Sequence, residues 1–164
     1  MTRSDHADAA DLLPLERPGG RVIRLATLVA DVARAVDPSL PRGRDGSTLV
    51  QIDCDVDASI VVPGHATAVR RLLESLVRSA VKAAACDDPD SDVPPLREVL
   101  VTAIDTGHAI EIEVADSGPF RELASVDRVA AERAGGSLDV LACAEGGTAV
   151  TLRLPHRQAA ARAA

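Results

Sequence analysis

A chain of 164 residues with 46% hydrophobic side chains is large enough for one domain with a single core. The formal charge of −7 and an aromatic content of 1% exclude a phosphate-tracking nucleic-acid binder and a surface that stacks bases on exposed rings. Phe120 is the only aromatic residue. Three cysteines, Cys54, Cys86 and Cys143, are odd in number and widely spaced. They predict reduced, semi-buried packing residues and no disulfide or zinc framework. Residues 1–13 are polar and acidic, and no stretch approaches the roughly 20 apolar residues that span a membrane. A soluble cytoplasmic protein without a membrane partner is expected.

In chain order, residues 1–20 predict a flexible lead-in that ends in Arg17-Pro18-Gly19-Gly20. The folded domain is expected over residues 21–155, and a flexible tail over 156–164. Between residues 21 and 36, Val22, Leu25, Ala26, Val29, Val32 and Ala33 recur at three and four, which predicts an amphipathic first helix stopped by Asp37-Pro38. Residues 48–56 alternate and predict a strand, with a short second strand at 59–62 and a turn at Pro63-Gly64. The strongest helix is predicted over 65–86, where Val69, Leu72, Leu73, Leu76, Val77 and Ala80 form a broad apolar stripe. The acidic, proline-bounded stretch 87–95 predicts a loop. Strands at 96–104 and 108–115 flank a hairpin turn at Asp105-Thr106-Gly107. A third helix is expected over 121–134, stopped by Gly135-Gly136, and a last hairpin pairs 137–143 with 148–154. This order predicts an α/β two-layer sandwich: a mixed, largely antiparallel sheet of about five strands with three helices on one face.

The alternating strand that holds Ile110, Ile112 and Val114 runs directly into Asp116-Ser117-Gly118-Pro119-Phe120. Asp116 continues the phase of the dry side and should point inward, where a bare carboxylate is costly unless something donates to it. It could satisfy itself as an ordinary turn, with help from Thr148, or hold a ligand.

Asp116-Ser117-Gly118, then Gly135-Gly136-Ser137-Leu138, then Gly146-Gly147-Thr148 stand in an order that resembles the GHKL (Bergerat-fold) ATPases. The bacterial histidine kinase ATP-binding domain is the nearest type, and the resemblance covers about residues 21–155. It implies a histidine kinase-like ATPase fold in which Asp116 would receive the adenine amino group, Gly118 would allow close approach, and Thr148 would help floor the pocket. The family's Asn-box position reads Ser75-Leu76-Val77-Arg78-Ser79-Ala80, so Ser75 and Ser79 share a helix face but carry no amide for Mg²⁺. Glu74 sits one residue early to act as a base, about 100° around the helix, and both it and Arg78 are expected on the solvated side. Phe120 replaces the second glycine of the family's Asp-x-Gly-x-Gly and is expected to plug the vacated pocket. Arg121-Glu122 stands where the family has a glycine-rich lid tens of residues long, which removes the backbone N–H groups that wrap the phosphates.

The family's dimerising helical hairpin with its phospho-accepting histidine has no counterpart in this sequence. His6, His65, His108 and His156 read as surface residues and not as a metal site. No catalytic and no metal residue is expected. The reading is a non-catalytic regulatory or adaptor domain of two-component-type signalling, with no cofactor and a histidine kinase or response regulator as its protein partner. The alternative is an ATP- or ADP-binding kinase domain, of histidine kinase or anti-sigma switch type, that holds nucleotide weakly, with or without Mg²⁺, through Asp116, Gly118, Thr148, Ser75 and Ser79. For the two serines, small residues that let the helix pack closely are the competing explanation.

Overall fold

A computed structural model describes residues 23–44, 46–62, 65–86, 97–144 and 146–156. Residues 1–20 of the expected lead-in, the Pro63-Gly64 turn and the 87–95 loop lie outside the described residues, as does all of the expected tail except His156.

The long middle helix organises the domain. This helix, α2 (Ala66–Ala84), buries Val69, Leu72, Leu73, Leu76, Val77, Ala80, Val81, Ala83 and Ala84. The three-and-four spacing of its apolar residues gives one continuous dry stripe, and each fully buried Leu or Val contributes roughly 1.5–3 kcal/mol of transfer free energy. Helix α1 (Leu25–Val36) packs beside it through Leu25, Leu28, Val29, Val32 and Val36, and tightens into a 3₁₀ turn over Asp37–Ser39 at the proline. Helix α3 (Ser125–Arg133) is short and buries little more than Ala131 and Asp127.

Among the described residues the five strands are β1 (Gln51–Val56), β2 (Glu98–Asp105), β3 (Ala109–Asp116), β4 (Ser137–Ala142) and β5 (Thr148–Pro155), in sheet order β1-β2-β3-β5-β4. Only β1 and β2 are parallel, joined by the crossover through α2; all other neighbours are antiparallel. Alternation decides the faces. In β3, Ile110, Ile112, Val114 and Asp116 are buried while Glu111, Glu113 and Ala115 are half-buried, so one side meets the helices and the other meets water. The expected two-layer sandwich is the observed one.

Several boundaries differ, each for a local reason. Strand β1 begins at Gln51 and not at residue 48, because Thr48 pairs with Arg42 and Leu49 donates to the Pro41 carbonyl. The expected strand at 59–62 does not join the sheet; Val61 bridges Arg24, and Leu25 donates to Ile60, so this segment fastens the entry to α1. Helix α3 starts at Ser125, four residues later than expected, since Arg121 is held by other elements. Cys54 and Cys86 are exposed and not semi-buried; Cys143 is partly buried, and all three are free thiols. His156, expected in an unattached tail, donates its backbone N–H to His108 and places Nε2 at 2.8 Å from the Asp105 carboxylate. That bond and the Gly107 N–H pull the Asp105 carboxyl below its ordinary pKa. No helix among the described residues is long and apolar enough to cross a membrane.

Candidate functional site

The candidate residues converge where β3 ends, between α2 and the start of β5. Asp116 closes β3 on the helix-facing side and pairs in register with Thr148, the first residue of β5. Both are buried, with 5% and 0% exposure. Asp116 Oδ1 accepts the N–H of Gly118 at 3.0 Å, an Asx-type turn closing on itself. Glycine is required at 118 for a reason other than a ligand: a Cβ there would lie 2.3 Å from the Ala83 backbone carbonyl. The turn packs directly on α2, so the close approach is to the protein's own helix.

The other oxygen, Asp116 Oδ2, faces Arg121. The guanidinium Nη1 stands 3.0 Å away, with the arginine side chain 21% and the aspartate side chain 0% exposed. Among the described residues neither atom has a partner of hydrogen-bond geometry, so the contact is a close, off-axis ion pair. Burial pushes the Asp116 carboxyl above the usual aspartate range, against the pull of Arg121 and of the Gly118 and Thr148 N–H groups.

Arg121 also reaches α2 and β5. Its Nε donates to Ser79 Oγ at 3.3 Å, and its backbone N–H donates to Thr148 Oγ1 at 3.1 Å. One turn earlier on α2, Ser75 Oγ donates to the buried carboxylate of Asp127 in α3 at 3.0 Å. The two serines therefore bond across to the chain that follows β3, and not within their own helix. Residues 119–124 form a strap without helix or strand at this corner, tied by Arg121 at one end and by Asp127 beyond the other.

Phe120 is not the plug. The residue is 55% exposed, because the inward direction belongs to its neighbour. Arg121 can neutralise the buried carboxylate and a phenyl ring cannot, so burying the arginine removes the larger penalty. Phe120→Ala is accordingly expected to lower stability by less than about 1 kcal/mol, against the roughly 3–5 kcal/mol of a buried ring. Urea denaturation checks this directly, and a loss near the upper figure would mean the ring packs inside.

Glu74 and Arg78 are only partly solvated. They pair at 2.8 Å, and Arg78 also donates to Ser39 Oγ at 3.1 Å and to the Ala35 carbonyl at 3.3 Å, so this pair ties α2 to the end of α1. Glu74 is thereby engaged away from the Asp116 corner. His65 is the N-cap residue of α2 but its side chain makes no cap hydrogen bond, and among the described residues no group of histidine, cysteine and acidic side chains could hold a metal. A separate depression of about 570 Å³ lies between the end of α1 and the start of β1, and none of Ser75, Ser79, Asp116, Gly118 or Thr148 lines it.

Sequence reasoning missed Arg121. The signal was present, since an inward Asp116 demands a donor and Arg121 is the first cation after it.

No protein-family model and no curated protein matches this sequence. Solved structures do match. The catalytic domain of the histidine kinase ThkA aligns with a TM-score of 0.61 at 16% identity, over 82% of this chain and 95% of that one. This is the histidine kinase-type ATPase fold. The ATP-binding domain of PrrB from Mycobacterium tuberculosis gives a TM-score of 0.61 at 16% identity, over 84% of this chain and 98% of that one. The Acinetobacter baumannii histidine kinase AdeS gives 0.63 at 11%, over 84% and 68%. Within this fold the chain's own contacts occupy the corner: Asp116 faces Arg121, Ser79 accepts from Arg121, and Ser75 donates to Asp127.

Proposed function

We propose that this chain is a non-catalytic histidine kinase-like ATPase domain that serves as a regulatory adaptor in two-component-type signalling. The observation that supports it above all is Arg121, whose guanidinium sits on Asp116 and Ser79. In the GHKL pattern the aspartate accepts an adenine amino group; here one Asp116 oxygen accepts the Gly118 N–H and the other faces a cation. A neutral amine competes poorly with a guanidinium for a buried carboxylate. The positions that would approach Mg²⁺ carry serine hydroxyls, one donating to Asp127 and one accepting from Arg121. Four residues, 121–124, separate Phe120 from α3 where the family has a lid, which leaves phosphates without the backbone donors that phosphoryl transfer relies on. The residues present do not fit a nucleotide, and no cofactor is proposed. A protein partner is supported by analogy: ThkA has been solved in complex with the response regulator protein TrrA, in a structure that aligns at 18% identity and a TM-score of 0.62.

Calorimetric titration with ATP and with ADP, each with Mg²⁺ and with EDTA, tests this reading. The expected result is no heat at millimolar nucleotide. Saturable binding that disappears in Asp116→Asn would overturn it and make the chain a nucleotide sensor.

A further inference from the structure

The side of the sheet turned away from the helices carries a built pattern that the adaptor reading leaves unused. The register places Leu100, Ala115, Ala149 and Leu141 on one line across β2, β3, β5 and β4. The two ends stand proud, with Leu100 37% and Leu141 66% exposed, and the two alanines form a low floor between them. At a strand spacing of about 4.8 Å the trough is roughly 14 Å long. The next line over reads Asp55, Thr102, Glu113, Thr151 and Asp139, carboxylates alternating with threonines. Asp53, Glu98 and Glu111 add three further carboxylates to this side, and Arg153 is its one basic side chain among the strand residues, 3.6 Å from Glu111.

We infer that this face docks an amphipathic helix of a partner protein, with aliphatic side chains seated in the Leu100–Leu141 trough and lysines or arginines over the flanking carboxylates. Charge decides the occupant. Six carboxylates against one arginine repel DNA, RNA and anionic lipid alike. A second copy of this chain, pairing the same face by two-fold symmetry, would set carboxylate against carboxylate. A basic helix meets complementary potential and covers apolar area that solvent otherwise wets. Crossing five strands, about 19 Å, takes a helix of roughly 13 residues. The inference rests on the adaptor reading only for the expectation of a protein partner, and it involves none of the residues around Asp116.

The test is an amide-resolved NMR titration of the full chain with two synthetic 15-residue helical peptides that share one leucine face. One carries lysine on its flanks and the other glutamate. The expected result is saturable shifts confined to β2, β3, β4 and β5 with the lysine peptide alone, weakened by salt. Leu141→Ser and, separately, Glu113→Gln with Asp139→Asn should each weaken binding about tenfold. Because these side chains face solvent, thermal melts should be unchanged, and the charge variant stands if Leu141→Ser disturbs its edge strand. Shifts centred on Phe120 and α3, equal response to both peptides, indifference to both variants, or shifts that depend on protein concentration without peptide would each overturn the inference. Nucleotide titration reads out separately, so either result can fail alone.

Discussion

Replacing Gly147 with alanine is expected to cost about 4 kcal/mol. Gly147 has φ +98°, and a Cβ there would lie 1.8 Å from the Asp116 carbonyl oxygen and 2.9 Å from its carbonyl carbon. Those are backbone atoms of the strand that ends at the site, so relief requires β3 and the β4–β5 turn to separate. The left-handed conformation alone costs an alanine roughly 1–2 kcal/mol. Its neighbour Gly146 separates the two causes: φ is +92°, yet nothing lies within 4 Å of a Cβ. Gly146→Ala should therefore show only the conformational part. Urea midpoints of the two variants measure the difference, and equal losses would mean that the close approach to Asp116 does not constrain the turn.

Arg121→Ala is expected to lose about 2–3 kcal/mol at neutral pH. Breaking a buried pair from one side typically costs more, because the remaining charge is stranded. Arg121 keeps 21% of its side chain in water and Asp116 keeps none, so removing the arginine strands the more deeply buried partner. Two things limit the loss: the guanidinium is partly screened, and Asp116 can protonate. The sign with pH follows. Burial already raises the Asp116 carboxyl in the folded protein, against Arg121 and the Gly118 and Thr148 N–H groups. A carboxyl raised on folding opposes stability as pH climbs from its unfolded value, about 3.9, through the folded one, and the penalty is complete above that. Without Arg121 the folded value moves higher still, so the variant's deficit is largest at neutral pH and shrinks on acidification. Asp116→Asn in the same background should recover most of it, since no charge is then left buried. A deficit that is flat from pH 4 to 7 would show that the arginine acts through packing and not through its charge.

The architecture was legible because periodicity reports burial. Ile110, Ile112 and Val114 against Glu111 and Glu113 gave β3 and its dry face, and the Val69-to-Ala84 stripe gave α2, both to within a few residues. The inward direction of Asp116 followed from the same phase. What the alternation could not reveal was where long side chains go once the strand ends. Phe120 was expected to plug the pocket because it stands where the family has a glycine, yet the charge of Asp116 decided that corner and Arg121 took the space. The late start of α3 has the same origin: an N–H and a guanidinium committed to Thr148, Ser79 and Asp116 keep Arg121 out of the helix. Ser75 and Ser79 were placed on one face correctly, but their partners, Asp127 and Arg121, lie 52 and 42 residues away, beyond any local pattern.

The exposed ring of Phe120 has a practical corollary. The chain contains no tryptophan and no tyrosine, so the protein is nearly dark in the near ultraviolet. A tryptophan introduced at position 120, beside Arg121 and half in water, would be its only emitter. Movement of the strap would then be read as a change in emission colour from a single known point, and any signal brought by an aromatic binding partner would stand against an almost blank background.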